Sequence, residues 1–322
     1  MGALRQLSVS QQVGLLFFII FGALTLATVA VFLHSLRNLD AEGQSVHDRL
    51  VRDLRAVWIG SVLFWVSWIL GAFVATLLFA LVSFLALREF ITLTHTRRGD
   101  HRALLAAFFV VLPIQYLLAG SRAFDMFSVF IPVYAFVALP ILAALGNDAT
   151  RFLERTAKIQ WGTMVCVYGM SDAPALLLLE FKGYEERGAF LVVYLVLVVG
   201  CSQVVQEYAS RRLRRRPVAR QISRSFSWRT WGLGALAGAL VGGLLYWITP
   251  FKPPQAVLIG FIAAGCGTLG ELVMKALKRD AGVRRWGNRR SVTGAVGLLD
   301  RVAPICFAAP VFFHSVRWYF GA

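Results

Sequence analysis

The stretch from Gly270 to Ala303 reads GELVMKALKRDAGVRRWGNRRSVTGAVGLLDRVA. Glu271, Lys275 and Lys278 occur in it at spacing i, i+4 and i+7, which places them on one face of an α-helix. A basic loop follows, and the chain re-enters an apolar segment behind the pair Asp300-Arg301. A charged helical face at the end of an apolar segment predicts a functional site where this stretch leaves a membrane.

The composition of the whole chain indicates a membrane protein. Its 322 residues are 58% hydrophobic and 16% charged, whereas soluble domains have about 25% charged residues. Many apolar segments are long enough to cross a hydrocarbon layer of roughly 30 Å, and short charged loops separate them. We therefore predict an all-α polytopic integral membrane protein with nine or ten transmembrane helices.

Ten apolar segments are candidate spans. The second segment is short and adjoins the third at Gly71, so it is either one half of a tight hairpin or a re-entrant half-span, which leaves the count at nine or ten. The ten segments are Val13–His34, Ala56–Leu70, Ala72–Leu93, Ala103–Leu118, Phe124–Leu145, Ala157–Leu179, Gly188–Gln206, Trp231–Thr249, Gln255–Leu277 and Val302–Phe320.

Loop charges predict the orientation of these spans. Most arginines lie in the loops at 35–55, 94–102, 146–156, 208–230 and 278–301, and these loops alternate along the chain with loops that carry few net positive charges. By the positive-inside rule the arginine-rich loops are cytoplasmic, and both termini lie outside if all ten segments span. The expected location is the inner membrane of a bacterium.

The net charge of +16 is explained by these loops, so we predict no binding to nucleic acid. The run from Arg211 to Arg229 is the strongest basic cluster, and it is either a topology anchor on anionic lipid or a wall that binds phosphate groups. The chain has no GxxxxGK[ST], GxSxG or HExxH motif, so the soluble-enzyme chemistries that these motifs carry are not expected.

Two parts of the chain resemble the phosphatidate cytidylyltransferases, which are also called CDP-diacylglycerol synthases. Lys278-Arg279-Asp280, a loop, and then Gly297-Leu298-Leu299-Asp300-Arg301-Val302 are similar to the carboxy-terminal signature of that family. The segment from Leu81 to Phe90 is similar to one of its helices. The resemblance covers a cytidylyltransferase-like region at 55–322, with 1–54 outside it, and we expect 1–322 to form a single membrane domain.

The resemblance implies a helical membrane transferase that uses Mg²⁺ to join CTP to phosphatidate, releasing pyrophosphate, and it makes a homodimer a candidate assembly. Glu271 and Asp300 match the two metal-binding carboxylates, and together with Lys278 they are the candidate catalytic residues. Lys278 and Arg279 match a phosphate-binding pair, Arg301 matches the arginine that follows the second carboxylate, and Ser223 matches a serine of an upstream substrate-binding segment.

Several positions depart from the pattern of that family. Lys275, Arg285, Ala295 and Ala303 stand where the family has serine, aspartate, histidine and aspartate, and Ser202-Gln203 stand where it has Asn-Asp. These changes remove ligands for cations and add positive charge. Three functions therefore stay open: an active cytidylyltransferase, a catalytically inactive relative that binds lipid phosphates or a partner enzyme, and an unrelated transporter with a basic cytoplasmic mouth.

Overall fold

A computed structural model describes residues 5, 7–36, 41–92, 94, 96–181, 184, 187–213, 217–223, 225–283 and 297–321. Every regular element in these residues is helical, as expected where backbone N–H and C=O groups in lipid must bond within their own segment. The helices are α1 (Val9–Ser35), α2 (Ala41–Leu70), α3 (Ala72–Thr92), α4 (Arg98–Gly120), α5 (Phe124–Ala144), α6 (152–178), α7 (Gly188–Arg212), α8 (Trp228–Leu244), α9 (Pro253–Asp280) and α10 (Leu298–Phe320).

Each predicted span coincides with one of these helices, so the all-α membrane fold is confirmed. In the described part of the chain, eight helices are long and apolar enough to cross a membrane, namely α1 to α5, α7, α9 and α10. Two helices are not among these eight. They are α6, which carries charged residues including Asp172, and α8, which has 17 residues. The count of nine or ten spans stays a prediction.

The second predicted span is part of a longer helix. The helix that contains this span, α2, begins at Ala41. Its apolar part from Leu50 to Leu70 has 21 residues, which is about 30 Å at the rise of an α-helix. The helix ends at Gly71, where φ is +97°, a conformation that glycine adopts without steric cost. This glycine separates α2 from α3.

The described chain divides into two compact units, Met1–Ala75 and Thr76–Ala322. In the first unit, α1 and α2 are joined by aromatic contacts such as that between Phe17 and Trp65, whose ring centroids are 5.3 Å apart. The predicted division of the sequence at residue 54 falls inside α2. It rests on resemblance alone and stays a prediction.

In the second unit, α8 packs closely against α7 and α9 through small residues. A Cβ atom at Gly238 would lie 2.3 Å from Cβ of Ala264, and one at Gly242 would lie 2.5 Å from the hydroxyl of Tyr194. Such distances permit only glycine, so the backbones approach closely, as at many helix contacts in membranes. This packing holds α9, which carries most of the candidate site residues.

Ion pairs of the second unit join loops that the charge pattern assigns to the same side. Arg155 lies 3.1 Å from Asp100 and joins two arginine-rich loops. At the other end of the helices, Arg122 donates to both carboxylate oxygens of Glu180, at 2.8 and 2.9 Å, and joins two arginine-poor loops. These contacts agree with the predicted alternation of loops.

The Arg155 guanidinium forms a buried network at the arginine-rich end. Arg155 is 5% exposed and Asp100 is fully buried, and Arg155 also donates to the Asp148 carboxylate at 3.0 Å and to the Thr150 carbonyl oxygen. The hydrogen bonds from Thr150, with the nearby Arg155 charge, hold the pKa of Asp148 below its usual range. The network therefore ties the start of α4 to the start of α6.

Candidate functional site

The close approach of α9 and α10 sets the geometry of the candidate site. Cβ of a residue larger than glycine at Gly270 would lie 2.3 Å from Cγ of Phe307, so Gly270 lets the two helices meet. Glu271 follows directly on α9. This explains why a glycine precedes the glutamate in the sequence.

The α9 helix ends just after Lys278-Arg279. Gly282 has φ +69°, its N–H donates to the Arg279 carbonyl at 3.1 Å, and the N–H of Val283 donates to the Lys278 carbonyl at 2.9 Å. These two bonds form a Schellman motif, which terminates helices at glycine. The two basic residues thus lie in the last turn, where the helix dipole favours cations.

The α10 helix begins beside a buried carboxylate of α3. Oε2 of Glu89 accepts hydrogen bonds from the backbone N–H groups of Leu298 at 2.9 Å and Leu299 at 3.3 Å. Glu89 is 3% exposed, and a carboxylate at a helix N-terminus satisfies free N–H groups and interacts favourably with the helix dipole. Glu89 therefore fixes the first turn of α10, which contains Asp300 and Arg301.

An ion pair joins the two halves of the sequence motif. Nζ of Lys278 lies 2.5 Å from Oδ1 of Asp300, and their side chains are 15% and 31% exposed. This pair connects the end of α9 to the start of α10. The structure thus brings together two of the three candidate catalytic residues.

The third candidate, Glu271, has a different cationic partner. Its Oε1 lies 2.7 Å from Nζ of Lys275, as the i, i+4 spacing predicts. Glu271 precedes Lys278 by two helical turns, which is roughly 10 Å along the axis of α9. Glu271 therefore lies deeper in the helix pair than the contact between Lys278 and Asp300.

The candidate substrate-binding residues are placed differently from one another. Arg279 and Arg301 are exposed and lie next to Lys278 and Asp300 in the chain. Ser223 is buried, and its hydroxyl lies 3.3 Å from that of Ser225. Among the described residues, its side chain forms a hydrogen bond with Ser225 and none with residues of α9 or α10.

Some predicted departures from the family pattern fall outside the described residues. Arg285 and Ala295 belong to the segment 284–296, which the structure does not describe. Ala303 is buried in α10 and belongs to the apolar core, together with Leu299 and Met274. An apolar residue at position 303 thus contributes to packing.

Glu89 is the residue that sequence reasoning missed as a member of the site. The segment that contains it was singled out for its resemblance, and a glutamate within an apolar helix was the available signal. Its second oxygen, Oε1, is buried and has no hydrogen-bond partner in the described part of the chain.

The chemistry of these oxygens suits Mg²⁺. The ion needs oxygen ligands and is usually held by one or two carboxylates together with substrate phosphates. The carboxylate of Asp300 and the unpartnered oxygen of Glu89 are such donors. Among the described residues no group of three or more histidine, cysteine, aspartate or glutamate side chains could hold a metal ion.

Sequence comparisons identify related proteins. The model of a family described as the Cytidylyltransferase family matches residues 50–319. An Escherichia coli (strain K12) protein with the name "Uncharacterized protein YnbB" is 34% identical over 246 residues, which are 74% of this chain and 78% of that protein. A phosphatidate cytidylyltransferase of Synechocystis sp. is 34% identical over 88 residues, which are 27% of this chain and 29% of that enzyme.

Proposed function

Because this chain belongs to the cytidylyltransferase family, we propose that it transfers a cytidylyl group from CTP to phosphatidate or a related lipid phosphate. A phosphate oxygen of the lipid attacks the α-phosphorus of CTP and forms a new P–O bond. The bond from that phosphorus to the bridging oxygen of the β-phosphate breaks, and pyrophosphate leaves. The products are CDP-diacylglycerol and pyrophosphate.

The observation that carries this proposal is the ion pair between Lys278 and Asp300. It places an ammonium group and a carboxylate together at the adjoining ends of α9 and α10, within the region that the family model matches. Transfer of a nucleotidyl group depends mainly on positioning and on neutralising phosphate charge. A site with both signs of charge at the end of two fixed helices suits that task.

We assign each residue of the site a role from its position in the fold or from its match to the family. Lys278 neutralises charge on the CTP phosphates, and the exposed Arg279 and Arg301 bind phosphate oxygens of CTP and of the lipid headgroup. Glu89 holds the first turn of α10 in place and so orients Asp300. Ser223 belongs to the substrate-binding set by its match to the family.

We further propose Mg²⁺ as the cofactor, held by Asp300 together with either Glu89 or, as the sequence predicts, Glu271. When bound, the ion neutralises triphosphate charge and orients the reacting phosphate. The arginine-rich loops support a site that faces the cytoplasm, in a bacterial inner membrane, where CTP and the lipid headgroup meet. The long apolar helices support an integral membrane location, whichever side of the membrane the site faces.

A second function has one specific observation in its favour. The ammonium group of Lys275 lies 2.7 Å from Glu271, where it competes with a cation for that carboxylate. A relative that has lost catalysis would keep the basic residues and bind CTP or a lipid phosphate without turnover. Formation of labelled CDP-lipid by the purified protein separates the two functions, because only the transferase makes the product.

A further inference from the structure

A polar cluster around one buried aspartate lies in α6 and α10, away from the site described above. It consists of Asp172 and Tyr168 of α6 and His314 of α10. The Tyr168 hydroxyl and Nε2 of His314 are 2.7 Å apart, and Nε2 of His314 lies 3.9 Å from Oδ1 of Asp172. All three residues belong to the second compact unit.

This cluster is distant from the proposed transferase site. His314 follows Asp300 by 14 residues on α10, a separation of roughly 21 Å along the helix at its standard rise. Arg317, one turn further along α10, pairs with Asp125, and that pair lies at the start of α5. The cluster thus lies toward the end of α10 opposite to Lys278 and Asp300.

A positive charge would stabilise the buried carboxylate of Asp172. Asp172 is fully buried, and within the described residues neither of its carboxylate oxygens has a hydrogen-bond partner. The separation of 3.9 Å from His314 exceeds a hydrogen bond. An unpaired carboxylate in an apolar interior is costly, and ionisable residues within membrane helices commonly mark sites for ions or protons.

Arg317, the arginine one turn beyond His314 on α10, already has other partners. Arg317 donates to the Phe124 carbonyl at 3.1 Å and to the Ser128 hydroxyl at 3.2 Å, besides its contact with Asp125. The described ionic contact of Asp172 is the one with His314, at 3.9 Å. His314 is 38% exposed whereas Asp172 is fully buried, so His314 forms the outer side of the cluster.

We propose that Asp172, with Tyr168 and His314, binds one small monovalent cation, which is either a proton or an alkali-metal ion. The carboxylate oxygens and the tyrosine hydroxyl are oxygen ligands for such an ion, and His314 lies on the outer side of the cluster. The site is separate from the transferase reaction. The bound cation stabilises the membrane domain at the end of α10 that is opposite to the proposed nucleotide site.

Two measurements on the full-length protein in lipid nanodiscs test the proposal and distinguish the ions. The first is the thermal unfolding midpoint in sodium, potassium or choline chloride at constant ionic strength. If an alkali-metal ion binds, the midpoint rises by a few degrees in sodium or potassium for the wild type, but not for Asp172→Asn. The exposed Asp125→Asn is the matched control and keeps the rise.

The second measurement is the infrared absorption of protonated carboxyl groups. If the ligand is a proton, the wild type shows a carboxylic acid C=O band that Asp172→Asn lacks and Asp125→Asn keeps. His314→Gln, which leaves the carboxyl group in place, keeps the band even if Asp172→Asn folds poorly. A wild type with neither an alkali-dependent midpoint nor a band that depends on Asp172 overturns the proposal.

Discussion

Nζ of Lys278, in the last turn of α9, lies 2.5 Å from Oδ1 of Asp300, in the first turn of α10, and 22 positions separate the two residues in the chain. Helix ends that meet in this way place a cation and a carboxylate at one point. The segment of sequence between them is the basic part of the motif. The relation between these two residues is therefore the structural basis for a phosphate-handling site in this chain.

Lys275 is expected to weaken cation binding at Glu271. Lys275→Ser removes the ammonium group that competes for the carboxylate, so the affinity for Mg²⁺ should rise, as measured by calorimetric titration of the purified protein with CTP present. Lys158→Ser is the matched control, because Lys158 also pairs with a glutamate four residues earlier, Glu154, at 2.7 Å. Equal Mg²⁺ affinities for wild type and Lys275→Ser would remove Glu271 from the metal site.

Glu89 is expected to act by positioning Asp300. Glu89→Gln keeps an oxygen that accepts from the Leu298 and Leu299 amides, but it places an NH2 group where Oε1 is proposed to hold Mg²⁺, so its turnover should fall about tenfold. Glu89→Ala loses both roles and should lose about 10²-fold in kcat. The expected cost in folding stability of Glu89→Ala is about 0.5–2 kcal/mol, as for other lost helix caps.

Hydrogen exchange of the first turn of α10 gives an independent check on Glu89. The amides of Leu298 and Leu299 should exchange faster in Glu89→Ala than in Glu89→Gln, because only the alanine variant lacks their acceptor. Unchanged exchange and unchanged kcat in Glu89→Ala would contradict the positioning role.

Arg155 is expected to be essential for stability. Arg155→Met leaves Asp100, which is fully buried, without its charge partner, and a broken buried pair of this kind costs about 3–5 kcal/mol. Arg151→Met is the control, since the pair of Arg151 with Glu154 is exposed and exposed ion pairs contribute little to stability. Thermal unfolding in detergent measures both variants, and similar midpoints would refute the role of the buried network.

Asp148 makes part of the stability depend on pH. Hydrogen bonds from Thr150, followed by the charge of Arg155, lower the pKa of Asp148, so its stabilising contribution is present above the unfolded value of about 3.9. That contribution is lost as the pH falls through the lower folded pKa. Asp148→Asn should lose less stability than the wild type over that acid range, as measured by thermal unfolding across the pH series. Parallel acid profiles for the two proteins would contradict this assignment.

Much of the helical framework could be predicted from the sequence, because hydrophobic length alone identifies segments that fit a membrane. The start of α2 was missed, since the residues from Ala41 to Arg55 include several charged side chains and hydropathy does not reveal a charged helical extension. The i, i+4 spacing did predict the pair of Glu271 with Lys275, because that contact lies within one helix.

The contacts between distant segments could not be predicted in the same way. Glu89 and Leu298 are 209 positions apart, and their hydrogen bond depends on how α3 docks beside α10. The approach of His314 to Asp172 depends likewise on the packing of α10 against α6. Sequence periodicity describes each helix by itself, and it carries no information about which helix ends meet.

The most direct test of the proposed function is the formation of labelled CDP-lipid from CTP and phosphatidate by the purified protein in liposomes with Mg²⁺. We expect product with the wild type and with Asp125→Asn, because Asp125 is an exposed aspartate that, like Asp300, pairs with a basic side chain. We expect a loss of about 10²–10³-fold with Asp300→Asn, the size expected when an electrostatic contact at a reacting phosphate is removed. Product at background level with the wild type, or undiminished product with Asp300→Asn, would contradict the proposed function.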